Sequence, residues 1–285
     1  MITYPSLAAL AGEPHPFSEH DVLNGLEASD TATDGPGRVR VVVDGTADVL
    51  RFYGGAPEGC SKEPVIFLRG DVLRQRDDVL EVLPTYKRLG PYEQLLWAHE
   101  TAVAFGRPFL HLARPGICGS SGDHRDRRCE REVALVNHAL DKLKEAFGWS
   151  RINLVGQSGG GHLVGVLLSR RRDIDCAVIT SGNVAVRLRN ELAGRDRDIT
   201  GHSDFVDPID HVALIARHPP RKLIVLTDRR DQVVRCEVQC AYVDALRGAG
   251  VVIDHRFMEA LDDNHHNLWF AGVVAAFTHL QCRVA

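Results

Sequence analysis

Ile152-Asn153-Leu154-Val155-Gly156-Gln157-Ser158-Gly159-Gly160-Gly161-His162 is a short apolar run that stops at a serine flanked by glycines. It passes at once into a helical pattern, Leu163, Val164, Val166, Leu167 and Leu168. The stretch reads as strand, sharp turn and helix, with Ser158 at the apex. Such a turn forces strained backbone angles on the serine. It also brings strand and helix so close that a β-carbon at Gly156 or Gly160 would clash. The hydroxyl is then held clear of the backbone beside the helix N-terminus, where the Gly159 amide can stabilise a developing oxyanion. The bare G-x-S-x-G spacing recurs by chance, and the competing reading is a glycine-rich turn whose serine caps the helix. Its place between a strand and a helix, near the middle of the chain, favours a nucleophile.

At 285 residues the chain can bury a sizeable core as one large or two small domains. A hydrophobic content of 44% and a charged content of 25% are ordinary for a soluble globular protein. The net charge of −4 gives no reason to expect nucleic acid or an anionic membrane surface as a partner. The longest apolar run, Leu268 to Phe277, is too short to span a bilayer. The N-terminal Met1-Ile2-Thr3-Tyr4-Pro5 lacks the positive region of a secretory signal, so a cytoplasmic enzyme is expected. Seven cysteines, odd in number and without a C-x-x-C pair, favour reduced thiols. Cys118 and Cys129 bracket one loop, and whether they pair stays open. Cys176 opens an apolar strand and reads as a small core residue.

Working outward from the serine, strands and helices alternate. Residues 1 to 36 show no sustained period, and Asp30 to Gly37 reads as a turn-rich connector. Arg38–Asp44 and Asp48–Tyr53 alternate like strands joined across Asp44-Gly45-Thr46, a hairpin signal. Val65–Leu68 is a continuous apolar run of the kind buried on both faces of a parallel sheet. A helix is expected from Pro91 to about Phe105, a strand at Pro108–Ala113 and a helix at Glu130–Phe147. Strand Ile152–Val155, helix Gly160–Arg170 and strand Cys176–Thr180 follow. Then come strand Lys222–Thr227, helix Cys236–Arg247, strand Val251–Met258 and helix Leu268–Leu280. A leading antiparallel hairpin followed by βα units gives an α/β fold with a mostly parallel central sheet and helices on both faces, in a single domain over 1–285. The one interruption, 183–220, is rich in charge and ends in a helical patch, Ile209–Ala216. It reads as a small lid over the strand ends, against the plainer reading of a solvated connector with one surface helix.

An activated serine needs a base, and the base needs an acid to fix its tautomer and offset the charge it gains. Two strands later in the chain run into loops that carry both. After Lys222–Thr227 come Asp228 and Asp231. Asp231 is preferred as the acid because it lies out in the loop, with helix capping as its competing role; Asp228 at the strand edge is the alternative. After Val251–Met258 come His265 and His266, between the last strand and the last helix. The chain has 14 histidines, and several others sit inside helix patterns. His265 is preferred as the base, with His266 as the alternative. The second oxyanion donor is expected from the loop after Val65–Leu68, where Gly70 lets the backbone turn, making the Asp71 amide the candidate. Ser120 and Ser121 lack a strand-to-helix turn and read as loop structure. No metal-ligand spacing, Walker A loop or dinucleotide fingerprint is present, so no cofactor and no metal are expected.

These residues resemble the α/β-hydrolase superfamily, over roughly residues 38 to 285. Gly156-Gln157-Ser158-Gly159-Gly160-Gly161-His162-Leu163 is similar to the nucleophile region of bacterial esterases and of serine peptidases of the prolyl oligopeptidase type. Arg114-Pro115-Gly116 with Gly119-Ser120-Ser121-Gly122 resembles the loop after the fourth strand in many lipase-like members. His265-His266-Asn267-Leu268 is similar to the H-F-[NS]-[IL] ending of kynurenine formamidase and acetyl-esterase-like enzymes, whose first histidine is catalytic, which implies His265. The His-Gly-Gly oxyanion motif of the hormone-sensitive-lipase group is replaced here by Arg69-Gly70-Asp71. The resemblance implies a serine hydrolase cleaving a carboxylic ester, or a small amide, through an acyl-enzyme. An acyltransferase using the same triad and a catalytically silent ligand-binding protein are the alternatives.

Overall fold

The computed structural model of the protein describes residues 1–282 apart from 11, 30 and 61. The first residue of the Asp30–Gly37 connector and the last three of the chain, 283–285, lie outside the described residues. In chain order the strands are β1 (Arg38–Val43), β2 (Thr46–Gly55), β3 (Val65–Leu68), β4 (Leu73–Arg76), β5 (Val79–Val82), β6 (Phe109–Leu112), β7 (Ile152–Gln157), β8 (Ile174–Thr180), β9 (Lys222–Thr227) and β10 (Asp254–Phe257). The helices are α1 (Glu19–Asn24), α2 (Pro91–Phe105), α3 (Glu130–Phe147), α4 (Gly159–Arg170), α5 (Val186–Leu192), α6 (Val212–Arg217), α7 (Cys236–Gly248) and α8 (Trp269–Gln281). By internal contacts they fall into two compact units. One comprises residues 1–64, 72–150 and 199–202, the other 65–71, 151–198 and 203–285.

In the first unit β1 and β2 form the expected antiparallel hairpin, Val43 facing Thr46. Asp44 and Gly45 between them both have left-handed backbones, φ 50° and 78°, as a tight two-residue turn matched to strand twist requires. β2 pairs antiparallel with β6, and α2 and α3 pack against these strands. Ser120 and Ser121 are structural: their hydroxyls accept the N–H groups of Arg51 and Val49 at 2.9 and 2.8 Å. Two elements escape the sequence pattern. Helix α1 is a short turn started by Ser18, whose hydroxyl accepts the Asp21 N–H. β4 and β5 pair through Asp77-Asp78, both at positive φ, and their exposed, charged residues carry no clear alternation.

The second unit holds the parallel strands in the order β3-β7-β8-β9-β10. β3, β7 and β8 are buried along their whole length, which is why their sequences read as apolar runs rather than alternating ones. Helices cover both faces. A β-carbon on Gly161 of α4 would touch the Ile179 side chain, whereas one on Gly272 of α8 would touch Val178 and Thr180. Neighbours along a strand point to opposite faces, so α4 and α8 lie on opposite sides of β8. Taken together, the eight strands β1–β3 and β6–β10 are mixed and mostly parallel, and the architecture is α/β. β10 is shorter than the strand expected over Val251–Met258. The Val251 N–H is used by the Leu246 carbonyl to close α7, at 3.0 Å, so pairing with β9 begins only at Asp254.

The stretch expected to form a lid is built of packed elements where it belongs to this unit. α5 starts where the buried Asp207 carboxylate accepts the N–H groups of Val186 and Arg187, at 2.9 and 3.0 Å. Leu188, Leu192 and Ile209 pack against Ala185, Val234 and Val238. α6 packs on α4 and α7, burying Val212 and Ile215. These contacts give the lid expectation no support.

Candidate active site

Every sequence-derived candidate lies in the second unit. Ser158 stands between the end of β7 and the start of α4 with φ 55° and ψ −114°. That is a costly conformation for an L-residue, on the order of 1–3 kcal/mol, and it persists only where the surroundings over-determine it. Here they do. The Ser158 N–H is donated to the Thr180 carbonyl at 2.9 Å, and the Ser158 carbonyl accepts the N–H groups of His162 and Asn183 at 3.1 and 3.2 Å. A β-carbon on Gly156 would lie 2.3 Å from the Gly160 carbonyl oxygen, and one on Gly160 only 2.0 Å from that of Leu68. Strand, turn and helix are therefore as close as backbone allows. The loop Arg69-Gly70-Asp71 reaches the same place, since a β-carbon on Gly70 would sit 3.1 Å from Cβ of Ser158. Gly159 supplies the first N–H of α4 beside the serine.

The two aspartates and two histidines sort into two pairs. Asp231, whose side chain is fully buried, faces His266: its oxygens lie 3.0 and 2.8 Å from Nδ1. The same carboxylate accepts the Val233 and Val234 N–H groups at 2.8 and 2.9 Å, so it caps the following turn as well. Asp228 faces His265 instead, 3.4 Å from its Nδ1. The expected Asp231–His265 pair is thus corrected: Asp231 pairs with His266. The physical reason is the turn between Asp262 and Leu268. The Asp262 carbonyl accepts the His265 N–H at 2.9 Å, and its side chain accepts those of His266 and Asn267 at 3.0 and 2.6 Å. His265 is thrown into a left-handed conformation, φ 52°, and adjacent side chains diverge.

Asp228 ties the two loops together, accepting the N–H groups of Arg230 and Ala260, each at 2.8 Å. Burial works against its ionisation. The two N–H groups, and behind them the charges of Arg230 and His265, outweigh this and hold the carboxyl below its ordinary value. A folded-state pKa below the unfolded one means stabilisation that is fully present above the unfolded value, about 4, and lost as pH falls through the lowered folded value. Asp228→Asn is therefore expected to lower the melting temperature by a few degrees at neutral pH and to flatten the acid limb of stability below about pH 4. Melting curves across pH 2–8 check this, and an unchanged acid limb contradicts it.

Gln157, immediately before the serine, carries no signal in the sequence beyond its position. In the fold its carboxamide donates to the His266 carbonyl at 2.8 Å, while its oxygen accepts the Leu268 N–H at 3.2 Å and the Thr180 hydroxyl at 2.7 Å. The loop that carries His266 is thereby bonded to the residue next to Ser158. Among the described residues no group of three or more His, Cys, Asp or Glu is placed to hold a metal ion. No described helix is long and apolar enough to cross a membrane. All seven cysteines, Cys118 and Cys129 included, are unbridged thiols.

No family model matches the chain, and no curated protein matches it by sequence. Solved structures match it by shape. The esterase Pf2001 of Pyrococcus furiosus superposes with a TM-score of 0.59 at 13% identity, over 91% of this chain and 98% of that one. Est1E from Butyrivibrio proteoclasticus gives 0.56 at 14%, over 87% and 99%. The acylaminoacyl peptidase of Pyrococcus horikoshii gives 0.58 at 12%, over 86% of this chain. The chain has the α/β-hydrolase fold. It spans 40% of the length of the acylaminoacyl peptidase. In the α/β-hydrolase fold a G-x-S-x-G turn between strand and helix is where a nucleophile stands, with acid and base following in chain order. Ser158, Asp231 and His266 keep that order here.

Proposed function

We propose that the protein is a serine hydrolase acting on carboxylic esters, with Ser158 as nucleophile, His266 as general base and acid, and Asp231 as the residue that orients His266. The observation that carries this reading is the pairing of Asp231 with His266 Nδ1 at 2.8 Å in a loop bonded to Gln157, the residue next to the strained serine. With Nδ1 engaged by a carboxylate, Nε2 is the nitrogen left to take a proton. Ser158 Oγ attacks the ester carbonyl carbon while His266 Nε2 accepts the hydroxyl proton. The N–H groups of Gly159 and Asp71 receive the negative charge that moves onto the carbonyl oxygen. Collapse of the tetrahedral species breaks the bond to the alcohol, which leaves with the proton from Nε2. Water, deprotonated by the same nitrogen, then releases the acid from Ser158. The shape likeness to esterases supports an ester, and an alkoxide leaves more readily than an amine.

A fluorophosphonate probe tests the reading directly. It is expected to label the wild type and to leave Ser158→Ala unlabelled, with hydrolysis of short p-nitrophenyl esters lost in the same variant. Failure of the wild type to label, or equal hydrolysis by both proteins, would sink the proposal.

A further inference from the structure

We infer that Gln157 is a positioning residue for the proposed base, a latch that fixes the loop of His266 to the nucleophile strand; the inference rests on the proposed triad. His266 is held at three points. Its N–H is donated to the Asp262 side chain at 3.0 Å, its Nδ1 faces Asp231 at 2.8 Å, and its carbonyl accepts from Gln157 Nε2 at 2.8 Å. The first partner belongs to the histidine's own turn and the second to the loop after β9. Gln157 alone among the three belongs to the strand that leads into Ser158, so it sets the base relative to the nucleophile rather than relative to the acid.

A carboxamide is the side chain this task requires. One atom must donate to the His266 carbonyl while the other accepts the Leu268 N–H, at 3.2 Å, two residues further on. Ionised Glu accepts but does not donate, and Met has no donor and only a weakly accepting sulfur. Thr180, the residue opposite Gln157 in the β7–β8 ladder, gives its hydroxyl to the same Oε1 at 2.7 Å and fixes which way the amide faces. Gln157 is 7% exposed and Thr180 fully buried, so water offers little substitute for bonds lost there. The Leu268 N–H is also at the head of α8, so one side chain seats both the histidine turn and the helix that follows it.

The consequence concerns turnover more than substrate binding. Displacing a catalytic group by about 1 Å costs on the order of a hundredfold in rate, while the groups that hold substrate are unaffected. Gln157→Met is expected to lower kcat per probe-titrated site by about 30- to 100-fold with KM changed less than about threefold. Gln157→Glu is expected to lose at least as much, because a second oxygen then faces the His266 carbonyl. Thr180→Val, which leaves the latch in place but unsteadied, is expected to lose about three- to tenfold, and it serves if either Gln157 variant fails to fold. Titrating sites with the fluorophosphonate separates a slower site from a smaller folded fraction. Amide hydrogen exchange at Leu268, expected to quicken in Gln157→Met, reads the latch without reference to activity. A kcat per site within threefold of wild type in Gln157→Met, or unchanged exchange at Leu268, overturns the latch. If exchange quickens but Ser158→Ala still hydrolyses esters, the latch stands as geometry and the assignment of Ser158 falls instead.

Discussion

His266→Asn is expected to reduce kcat/KM for an ester by about 10⁴- to 10⁶-fold, whereas His265→Asn stays within about fivefold of wild type. The two residues are neighbours in sequence and near-equivalent on paper, so the contrast isolates geometry. His266 Nδ1 is engaged by the fully buried Asp231 carboxylate. His265 lies 3.4 Å from Asp228, a carboxylate already satisfied by two backbone N–H groups. Asn is the fitting replacement at 265, because it tolerates the left-handed φ of 52° that the turn imposes there. Asp231→Asn should follow His266→Asn in direction with a loss of about 10⁴ in kcat, because an amide facing Nδ1 favours the wrong tautomer. Asp228→Asn should leave kcat near wild type, so acid and base separate as pairs. Measuring all four variants on one p-nitrophenyl ester decides it. Large losses in His265→Asn, or parity between the two histidine variants, would return the base to His265.

The pattern of legibility follows from what each signal depends on. β3, β7 and β8 could be read because burial on both faces leaves mostly apolar runs, α2 because a proline opens it, and α3 because Val133, Val136, Leu140 and Leu143 recur at helical spacing. Ser158 could be read because its two flanking glycines are forced by backbone contact, which is a local constraint. The base could not be resolved between His265 and His266. Sequence places both on the same short loop, whereas in the fold an Asp262-centred turn sends one ring toward Asp228 and the other toward Asp231. For Asp231 the two competing roles turned out compatible, since one carboxylate both caps Val233 and Val234 and faces the imidazole. Gln157 had no local signature because its partners, Thr180, His266 and Leu268, are far away in the chain. The β4–β5 hairpin stayed hidden for a different reason: its strands bury little, so selection for alternation is weak.

The second large effect concerns Gly160. Gly160→Ala should destabilise the protein by about 3 kcal/mol or more, lowering the melting temperature by about 6–12 °C, or prevent folding altogether. The added methyl carbon would lie 2.0 Å from the Leu68 carbonyl oxygen, 2.6 Å from its carbon and 2.8 Å from the Arg69 carbonyl oxygen. All three are backbone atoms, so no rotamer change relieves the clash, and α4 must move away from the end of β3. Gly248→Ala makes the matched control. It ends α7 with nothing within 4 Å of the new carbon and no left-handed φ, so it should be neutral or stabilising by up to about 1 kcal/mol. Activity should fall further than stability in Gly160→Ala. Leu68 and Arg69 lead directly into Gly70 and Asp71, so the same displacement parts the serine from the loop assigned as the second oxyanion donor. At a temperature where the variant is still folded, loss of one such donor costs about 10²- to 10³-fold in kcat. A Gly160→Ala protein that melts within a degree of wild type would show that α4 and β3 can separate freely, and the tight elbow would then not be what holds Ser158 in place.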